Sequence, residues 1–181
     1  LNNRVGMLST IENKIQNETF KSSLTTPDSI EINRLMNDMV KNDIEYCVME
    51  ASSHAIDQIR ISGSDVYVAI FSNLSHDHLD YHKTFLNYIN TKKKLFDNLK
   101  KDSFSIINSD DKRADYIAQN SKSKIIHYSV NSLSDNKGRL IENNLDGMLV
   151  DIDNEKISLG IIGEFNLYNI LSVYVFSKIL K

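Results

Sequence analysis

The sequence predicts an α/β fold built on a mostly parallel, doubly wound sheet. Between residues 4 and 129, short apolar runs typical of buried parallel strands alternate with segments of helical periodicity. After Gly138 the pattern changes to short alternating runs separated by turn residues, which predicts a small antiparallel β extension near residues 138–162. Of the 181 residues 41% are hydrophobic, enough for a substantial core, and we expect residues 1–181 to form one domain.

Composition and charge exclude several classes of function. The formal net charge of −3 gives no broad positive field, which argues against a nucleic-acid partner. No apolar run approaches the roughly 20 residues of a membrane-spanning helix, so we expect no membrane association. The single cysteine, Cys47, lies in an apolar run and is expected in the core. One cysteine cannot form an internal disulfide, which agrees with a reducing cytoplasm. We expect a cytoplasmic monomer.

The first predicted helix covers residues 30–42, after a strand within residues 4–11. Residues 12–23 are polar and irregular and suggest no regular element. Pro27 forces the residue before it into extended geometry, after which Asp28 or Ser29 can cap the helix. Its apolar residues fall at helical spacing and predict a buried face made of Ile32, Leu35, Met36, Met39 and Val40.

Polar groups follow the next predicted strand, residues 45–49, and precede the first helix. The strand delivers Glu50 at its end, the arrangement in which P-loop enzymes place a Mg²⁺-coordinating acid, and Ser52 and further polar residues follow at once. The hydroxyls of Thr25 and Thr26 stand just before a helix start. They could bind an anion or serve only as part of the helix cap.

The apolar run at residues 66–71 predicts a second central strand, and the loop after it is rich in histidine and aspartate. Three histidines and two aspartates fall within seven residues: His76, Asp77, His78, Asp80 and His82. This density favours metal or phosphate chemistry over a solvated surface. Since ligands of open α/β sheets bind at the carboxyl ends of the strands, we expect the functional site here.

A lysine lies on the apolar stripe of the following helix, residues 84–99. Lys92 is four residues from Tyr88 on one side and from Phe96 on the other, so it shares their face. A lysine on a core-facing stripe needs an explanation, whereas the neighbouring Lys93 and Lys94 are expected to face outward.

The rest of the chain predicts further strands and helices. In order, these are a strand at 103–108, a helix to about 119, a strand at 124–129, antiparallel strands within 138–151 and 156–161, and a last helix to residue 179. Turns are expected at 144–146 and 153–154.

Several short motifs, taken together, resemble the central, ATP-binding domain of the Mur ligases. Within that family they are most similar to the type that adds the third amino acid of the peptidoglycan stem peptide. The resembling segments run in family order through almost the whole chain: Thr25-Thr26-Pro27, Met49 to His54, Gln58-Ile59-Arg60, Phe71 to Leu74, Asp77 to His82, Lys92, Asn108 to Asp111, and Gly163 to Asn169.

The resemblance implies a specific reaction. ATP phosphorylates a carboxylate of UDP-MurNAc-L-Ala-D-Glu to an acyl phosphate, an amino acid attacks through its amine, and collapse gives an amide, ADP and phosphate. The amino acid would be L-lysine or meso-diaminopimelate, and two Mg²⁺ ions would neutralise the phosphates.

The resemblance also implies roles for individual residues. Glu50, His78 and Lys92 would be metal ligands, with Lys92 also catalytic after reaction with CO₂ to a carbamate. A partly buried lysine has a lowered pKa, and the carbamate supplies oxygen, which Mg²⁺ prefers. The residues expected to hold the UDP-muramoyl-peptide are Thr25, Thr26, Ser52, Gln58 and Arg60. Those expected to contact the nucleotide are Asn73, Asn166 and Asn169.

One part of the family pattern is absent from these residues. The Gly-rich phosphate loop would precede Arg4, and no Gly-x-x-x-x-Gly-Lys occurs in the 181 residues. We therefore expect a central domain truncated at its N-terminal side, without the uridine-binding and C-terminal ligase domains, and inactive by itself.

Other functions remain as alternatives. Folylpolyglutamate and cyanophycin ligases share the core, but the hydroxyl and Gln58-x-Arg60 motifs favour the muramoyl-dipeptide enzyme. A metallo-hydrolase could use His76, His78 and His82, although the spacing departs by one residue from the His-x-His-x-Asp-His zinc motif. The third alternative is a non-catalytic binding domain that kept the fold.

Overall fold

A computed structural model describes residues 4–75 and 77–180 of the chain. The chain divides into two compact units, the first ending at Asp65 and the second beginning at Val66. None of the helices within the described ranges is both long enough and apolar enough to cross a membrane. The predicted α/β class is confirmed, because each unit combines helices with a sheet that contains parallel strands.

From residue 4 onward, the first unit is a four-stranded sheet with two helices. Its elements are β1 (Val5–Leu8), β2 (Glu12–Ile15), β3 (Glu18–Lys21), α1 (Ser29–Lys41), β4 (Tyr46–Met49) and α2 (Ser53–Asp57). The strand order is β3-β2-β1-β4. Strand β1 runs parallel to β4, whereas β2 is antiparallel to both β1 and β3.

The hairpin of β2 and β3 corrects the prediction of an irregular segment at residues 12–23. Asn13 and Ile15 point into the unit and their neighbours point out, so the strand does alternate, but over only four residues. The turn between the strands places the non-glycine Gln16 at a φ of 55°, in the left-handed region. Because the turn contains neither Gly nor Pro, the sequence pattern did not predict the hairpin.

Helix α1 confirms the predicted cap and most of the predicted buried face. The Asp28 side chain accepts a hydrogen bond from the Glu31 backbone N–H, which satisfies a free donor of the first turn. Ile32, Leu35 and Met39 are buried, but Val40 is 72% exposed. Val40 therefore lies at the edge of the stripe, and its assignment to the buried face was wrong.

In its described residues, the second unit is a six-stranded sheet with four helices. Its elements are β5 (Val68–Phe71), α3 (Leu79–His82), α4 (Phe85–Asp97), β6 (Phe104–Asn108), α5 (Ala114–Ala118), β7 (Lys124–Ser129), β8 (Asn136–Asn144), β9 (Gly147–Ile152), β10 (Glu155–Leu159) and α6 (Phe165–Ile179). The strand order is β10-β9-β8-β7-β6-β5.

Both predictions for this sheet are confirmed. Strands β5, β6, β7 and β8 pair with one another in parallel, while β8 pairs with β9, and β9 with β10, in the antiparallel extension. The connections at residues 145–146 and 153–154 fall inside the turns expected from the sequence. The change from buried apolar runs to alternating ones thus marks the change from parallel to antiparallel pairing.

Helices cover both faces of this sheet, as in doubly wound folds. The adjacent residues Ile106 and Ile107 of β6 are both fully buried but belong to opposite cores. Ile107 packs in the cluster that includes Tyr88 and Phe96 of α4, whereas Ile106 packs in the cluster that includes Leu171 of α6.

Strand β4 lies at the end of its sheet, which explains an incorrect prediction for Cys47. The cysteine is free and exposed rather than part of the core. Strand β4 pairs with β1 on one side only, so an apolar sequence around the cysteine does not bury it within the first unit.

Candidate functional site

In the first unit, parallel pairing brings the carboxyl ends of β1 and β4 side by side. Leu8 is paired with Met49, and the Glu50 backbone N–H donates to the Leu8 carbonyl at 3.0 Å. The residues that follow the two strands, among them Thr10 and Glu50, therefore meet at one edge. This is the edge at which open α/β sheets bind ligands.

The Glu50 carboxylate is held at this edge by Thr10. Its Oε2 accepts from the Thr10 backbone N–H at 3.0 Å and from the Thr10 hydroxyl. The Thr10 hydroxyl also lies 3.2 Å from that of Thr25. Glu50 remains exposed, so the carboxylate is oriented and still open to solvent. Thr10 was not among the predicted site residues, because only the pairing of β1 with β4 shows that it lies beside Glu50.

Thr26 is fully buried and ties the segment before α1 to the end of β4. Its hydroxyl donates to the Glu50 carbonyl at 2.6 Å and accepts from the Ser52 backbone N–H at 3.0 Å. Because the Thr26 side chain is buried and makes both bonds, this threonine stabilises the edge. Thr25 and Thr26 were both considered as ligands of an anion. The hydroxyl of Thr26 is buried and bonded within the protein, whereas Thr25 is only half-buried and is therefore the more accessible of the two.

Ser52, Gln58 and Arg60 complete the group in the first unit. The Ser52 hydroxyl accepts from the Ala55 backbone N–H at 3.2 Å and caps α2. Arg60 donates through Nη1 to the Thr26 carbonyl at 3.0 Å and through Nε to Gln58 Oε1 at 2.9 Å. The structure thus brings together all five residues predicted to hold the UDP-muramoyl-peptide, together with Glu50.

In the second unit, the loop after β5 carries Asn73 at an exposed position. The loop is fixed on both sides of this residue. The Asn108 side chain donates to the Ser72 carbonyl at 2.7 Å, and the Leu74 backbone N–H donates to Asp111 Oδ2 at 2.9 Å. The Asn108 to Asp111 motif therefore shapes the loop that presents Asn73.

His78 stands before the short helix α3 in a left-handed backbone conformation, with φ 56°. Its Nε2 is 3.7 Å from Asp77 Oδ2, and its ring meets that of Tyr88 of α4 edge-on at 6.3 Å between centroids. Burial, with Asp77 nearby, raises the pKa of the Tyr88 hydroxyl. His76, which belongs to the same predicted cluster, lies outside the described residues.

Lys92 lies one helical turn beyond Tyr88 on α4, half-buried as its place on the apolar stripe predicted. Burial lowers the pKa of its ammonium group, which increases the fraction of neutral, nucleophilic amine.

The prediction for its neighbour Lys93 was wrong, because Lys93 is only 5% exposed. Lys93 donates to Asp97 at 2.6 Å and lies over the ring of Tyr116, so its charge is paired. Lys94 is exposed, as expected.

The metallo-hydrolase alternative gains no support. His82 is buried, with its ring against those of Tyr81 and Tyr88. Across residues 4–75 and 77–180, no group of three or more His, Cys, Asp or Glu side chains is arranged to hold a metal ion.

The metal ligands predicted from the Mur resemblance do not all belong to one unit. Glu50 lies in the first unit, and His78 and Lys92 lie in the second.

Asn166 and Asn169 lie one turn apart at the start of α6. The Asn166 side chain donates to the Ile162 carbonyl at 2.8 Å, and that of Asn169 donates to Asn166 Oδ1 at 3.2 Å. The two carboxamides are therefore linked and lie on one side of the helix, with Asn169 exposed.

Comparison with known families decides the classification. The Mur ligase middle domain matches residues 1–176, nearly the whole chain. This chain belongs to the Mur ligase middle domain family. The resemblance read from the motifs is confirmed at the level of the family.

Two curated relatives of this Mur ligase middle domain carry the same enzyme name. The UDP-N-acetylmuramoyl-L-alanyl-D-glutamate–2,6-diaminopimelate ligase of Cytophaga hutchinsonii is 47% identical over 98% of this chain. The enzyme of the same name from Bacteroides fragilis is 48% identical over 94%. The alignments cover 36% and 35% of those proteins, so the chain spans about a third of their length.

Solved structures show the same fold at lower sequence identity. MurF from Acinetobacter baumannii is 19% identical, with a TM-score of 0.67 over 77% of this chain and 32% of its own. The UDP-N-acetylmuramate:L-alanyl-gamma-D-glutamyl-meso-diaminopimelate ligase of Neisseria meningitides covers 97% of this chain and 52% of its own, with a TM-score of 0.58.

Proposed function

We propose that the protein containing this chain is an ATP-dependent ligase that joins 2,6-diaminopimelate to UDP-N-acetylmuramoyl-L-alanyl-D-glutamate. The observation that carries the proposal is the cluster at the end of β1 and β4, where Glu50, two threonines and Arg60 converge in a chain of the Mur ligase middle domain family. The names of the relatives favour diaminopimelate over L-lysine, the other amino acid considered from the sequence.

The proposed chemistry is the formation of an amide through an acyl phosphate. The γ-phosphoryl group of ATP passes to a carboxylate of the D-glutamyl residue of the dipeptide, and ADP leaves. The diaminopimelate amine then attacks the acyl carbon, the C–N bond forms, and phosphate leaves with its electron pair while the amine loses a proton. Activating the carboxylate in this way replaces a poor leaving group with a good one.

The substrate's anionic groups would be recognised in the first unit. Arg60 is fixed by Gln58 and by the Thr26 carbonyl, so its guanidinium is oriented before any ligand binds. An oriented guanidinium binds phosphate or carboxylate oxygens with charge-assisted hydrogen bonds. The hydroxyls of Thr25 and Ser52 are the neighbouring donors, and Thr26 would act mainly by holding this edge in shape.

Magnesium is the metal that the donor chemistry fits. Glu50 offers an exposed carboxylate oriented by Thr10, and carboxylate oxygen is the ligand that Mg²⁺ prefers. His78 and Lys92, the latter as a carbamate, are the other residues proposed to hold the two ions. The lowered pKa of Lys92 supports the carbamate, because only the neutral amine reacts with CO₂. When bound, Mg²⁺ would neutralise charge on the phosphates of ATP.

The nucleotide is assigned to the second unit. Asn166 and Asn169 present linked carboxamides at the start of α6, and a carboxamide can both donate to and accept from a purine edge. Asn73, exposed on its anchored loop, is the third residue proposed to contact the nucleotide.

The test is release of phosphate by the full-length protein with ATP and Mg²⁺. Release should require both the UDP-linked dipeptide and 2,6-diaminopimelate. Arg60→Lys should raise the KM for the UDP-linked dipeptide about tenfold, the effect of losing ~1.4 kcal/mol of charge-assisted bonding. Arg34→Lys is the matched control, since Arg34 pairs with Glu31 on the exposed surface of α1. Phosphate release that is independent of the dipeptide would refute the proposal.

A further inference from the structure

The Asp110 side chain, just after the end of β6, accepts an unusual number of hydrogen bonds. Its Oδ2 accepts from the backbone N–H groups of Val130 and Asn131 at 2.7 and 2.9 Å, and its Oδ1 accepts from that of Ser132 at 2.7 Å. The Tyr168 hydroxyl also donates to Oδ2, at 3.0 Å. One carboxylate thus connects the β7–β8 loop to helix α6.

Tyr168 stands between Asn166 and Asn169 in the first turns of α6. Its hydroxyl both donates to Asp110 and accepts from the Asn131 side chain at 3.0 Å. The N-cap residue Glu164 makes no side-chain hydrogen bond to the helix. The start of α6 therefore lacks a side-chain N-cap. The hydrogen bond from Tyr168 to Asp110, which we call the tether, instead links the first turns of the helix to the loop after β6.

The protonation states suit a permanent tether. Burial by itself would raise the pKa of Asp110, but the hydrogen bonds from residues 130–132 outweigh burial and hold that pKa well below its usual range. Burial and the bond to Asp110 raise the pKa of Tyr168 to about 12. The acceptor therefore stays ionised and the donor stays protonated at any pH at which an enzyme would work.

We propose that Asp110 and Tyr168 are positioning residues for the nucleotide. They fix the first turns of α6 in position along the helix axis and in rotation about it. The carboxamides of Asn166 and Asn169 therefore face the purine in one orientation. Neither residue is required to touch the nucleotide. The proposal rests on the assignment of those asparagines to the nucleotide under the proposed function.

The experiment uses the full-length protein and the Tyr168→Phe variant, which removes only the hydroxyl. Binding of ATP and of GTP is measured by calorimetry, and the KM values for ATP and the UDP-linked dipeptide by phosphate release. We expect ATP to bind about 5- to 10-fold more weakly, an effect of the size of one ordinary hydrogen bond, with a reduced preference for ATP over GTP. The KM for the dipeptide should not change.

Tyr174→Phe is the matched control, because Tyr174 lies farther along α6 and its hydroxyl also donates to a carboxylate, that of Asp153, at 2.9 Å. It should leave both nucleotide affinities unchanged. Asp110→Asn should resemble Tyr168→Phe with a larger effect, since an amide cannot accept all four hydrogen bonds; if it fails to fold, Tyr168→Phe still decides.

Two results would overturn the proposal. One is unchanged ATP affinity in Tyr168→Phe; the other is an equal loss in Tyr174→Phe, which would indicate general loosening of the helix. If the wild-type protein binds ATP but does not ligate, the proposed function fails and the calorimetric comparison still tests the tether. If the wild-type protein binds no ATP, both proposals are wrong.

Discussion

At the scale of single residues, two adjacent lysines on α4 show what the apolar periodicity of a helix predicts about burial and what it does not. Lys92 falls on the apolar stripe, and its half-buried position confirms that prediction. Lys93 was expected to face outward, yet it is buried against Asp97 and Tyr116. The periodicity of one helix identifies its apolar stripe, but it contains no information about α5, which carries Tyr116 and packs against α4.

Replacing Lys92 tests the role proposed for it in catalysis. In the full-length protein, Lys92→Ala should lose most ligase turnover, and added short carboxylates should partly restore it by supplying the oxygen ligands of the carbamate. Lys94→Ala, at an exposed position two residues away, is the control and should keep its turnover. Full activity of Lys92→Ala would contradict the assignment of Lys92 to the metal site.

The lowered pKa of Lys92 also predicts a pH-dependent stability. Its folded-state pKa lies below the ordinary 10.5, so the folded state disfavours the ammonium form. This cost is fully present below the folded-state pKa and fades as the pH rises to about 10.5. Lys92→Met should therefore raise the free energy of unfolding at neutral pH, with a gain that shrinks toward pH 10.5.

Denaturant titrations across that pH range, in buffer free of CO₂ and Mg²⁺, measure the effect. A gain that does not vary with pH would show that Met stabilises only by packing.

The adjacent threonines before α1 should separate stability from binding. Thr26→Val removes a buried acceptor for the Ser52 N–H and a donor to the Glu50 carbonyl, and should cost about 1–3 kcal/mol of unfolding free energy. Thr25→Val, at a half-buried position, should cost little stability but weaken binding of the UDP-linked dipeptide. Thermal unfolding and substrate titration of both variants check this; equal stabilities would contradict the buried role of Thr26.

At the scale of elements, the sequence predicted most helices and strands because their apolar periodicity is long enough to read. Helix α1 begins after its predicted cap Asp28, and β7 has the predicted bounds. The β2–β3 hairpin was missed because its strands have four residues each and its turn lacks glycine. The exposure of Cys47 was not predicted, because it depends on the position of β4 at the edge of its sheet. The residues of one strand do not indicate its place in the strand order.

The tight turn between β8 and β9 depends on Gly147. This residue has a φ of 138°, and a Cβ atom there would collide with the Leu159 carbonyl oxygen of β10. Gly147→Ala should lower the free energy of unfolding by about 1–3 kcal/mol, the usual cost of a strained backbone conformation. Gly160→Ala is the matched control, since its Cβ would meet no atom within 4 Å. Equal stability of the two variants in denaturant titrations would contradict this account of the turn.

At the scale of the whole molecule, family membership and fold class could be read from the sequence because the motifs are ordered and each follows a predicted element. The hydrogen-bonded cluster around Glu50 could be predicted only in part. Glu50, Thr25 and Arg60 are visible as motif residues, but the contribution of Thr10 depends on which strands are neighbours. The tether of Asp110 to Tyr168 joins residues 58 positions apart and leaves no pattern in the sequence.

The most direct test of the central claim is the mass of the product. The full-length protein is incubated with ATP, Mg²⁺ and UDP-N-acetylmuramoyl-L-alanyl-D-glutamate, with either 2,6-diaminopimelate or L-lysine, and the UDP-linked product is analysed by mass spectrometry. We expect a new amide-linked species with diaminopimelate, formed together with ADP and phosphate in equal amounts. A product formed only with L-lysine would overturn the amino-acid assignment, and the absence of any amide product would contradict the proposed function.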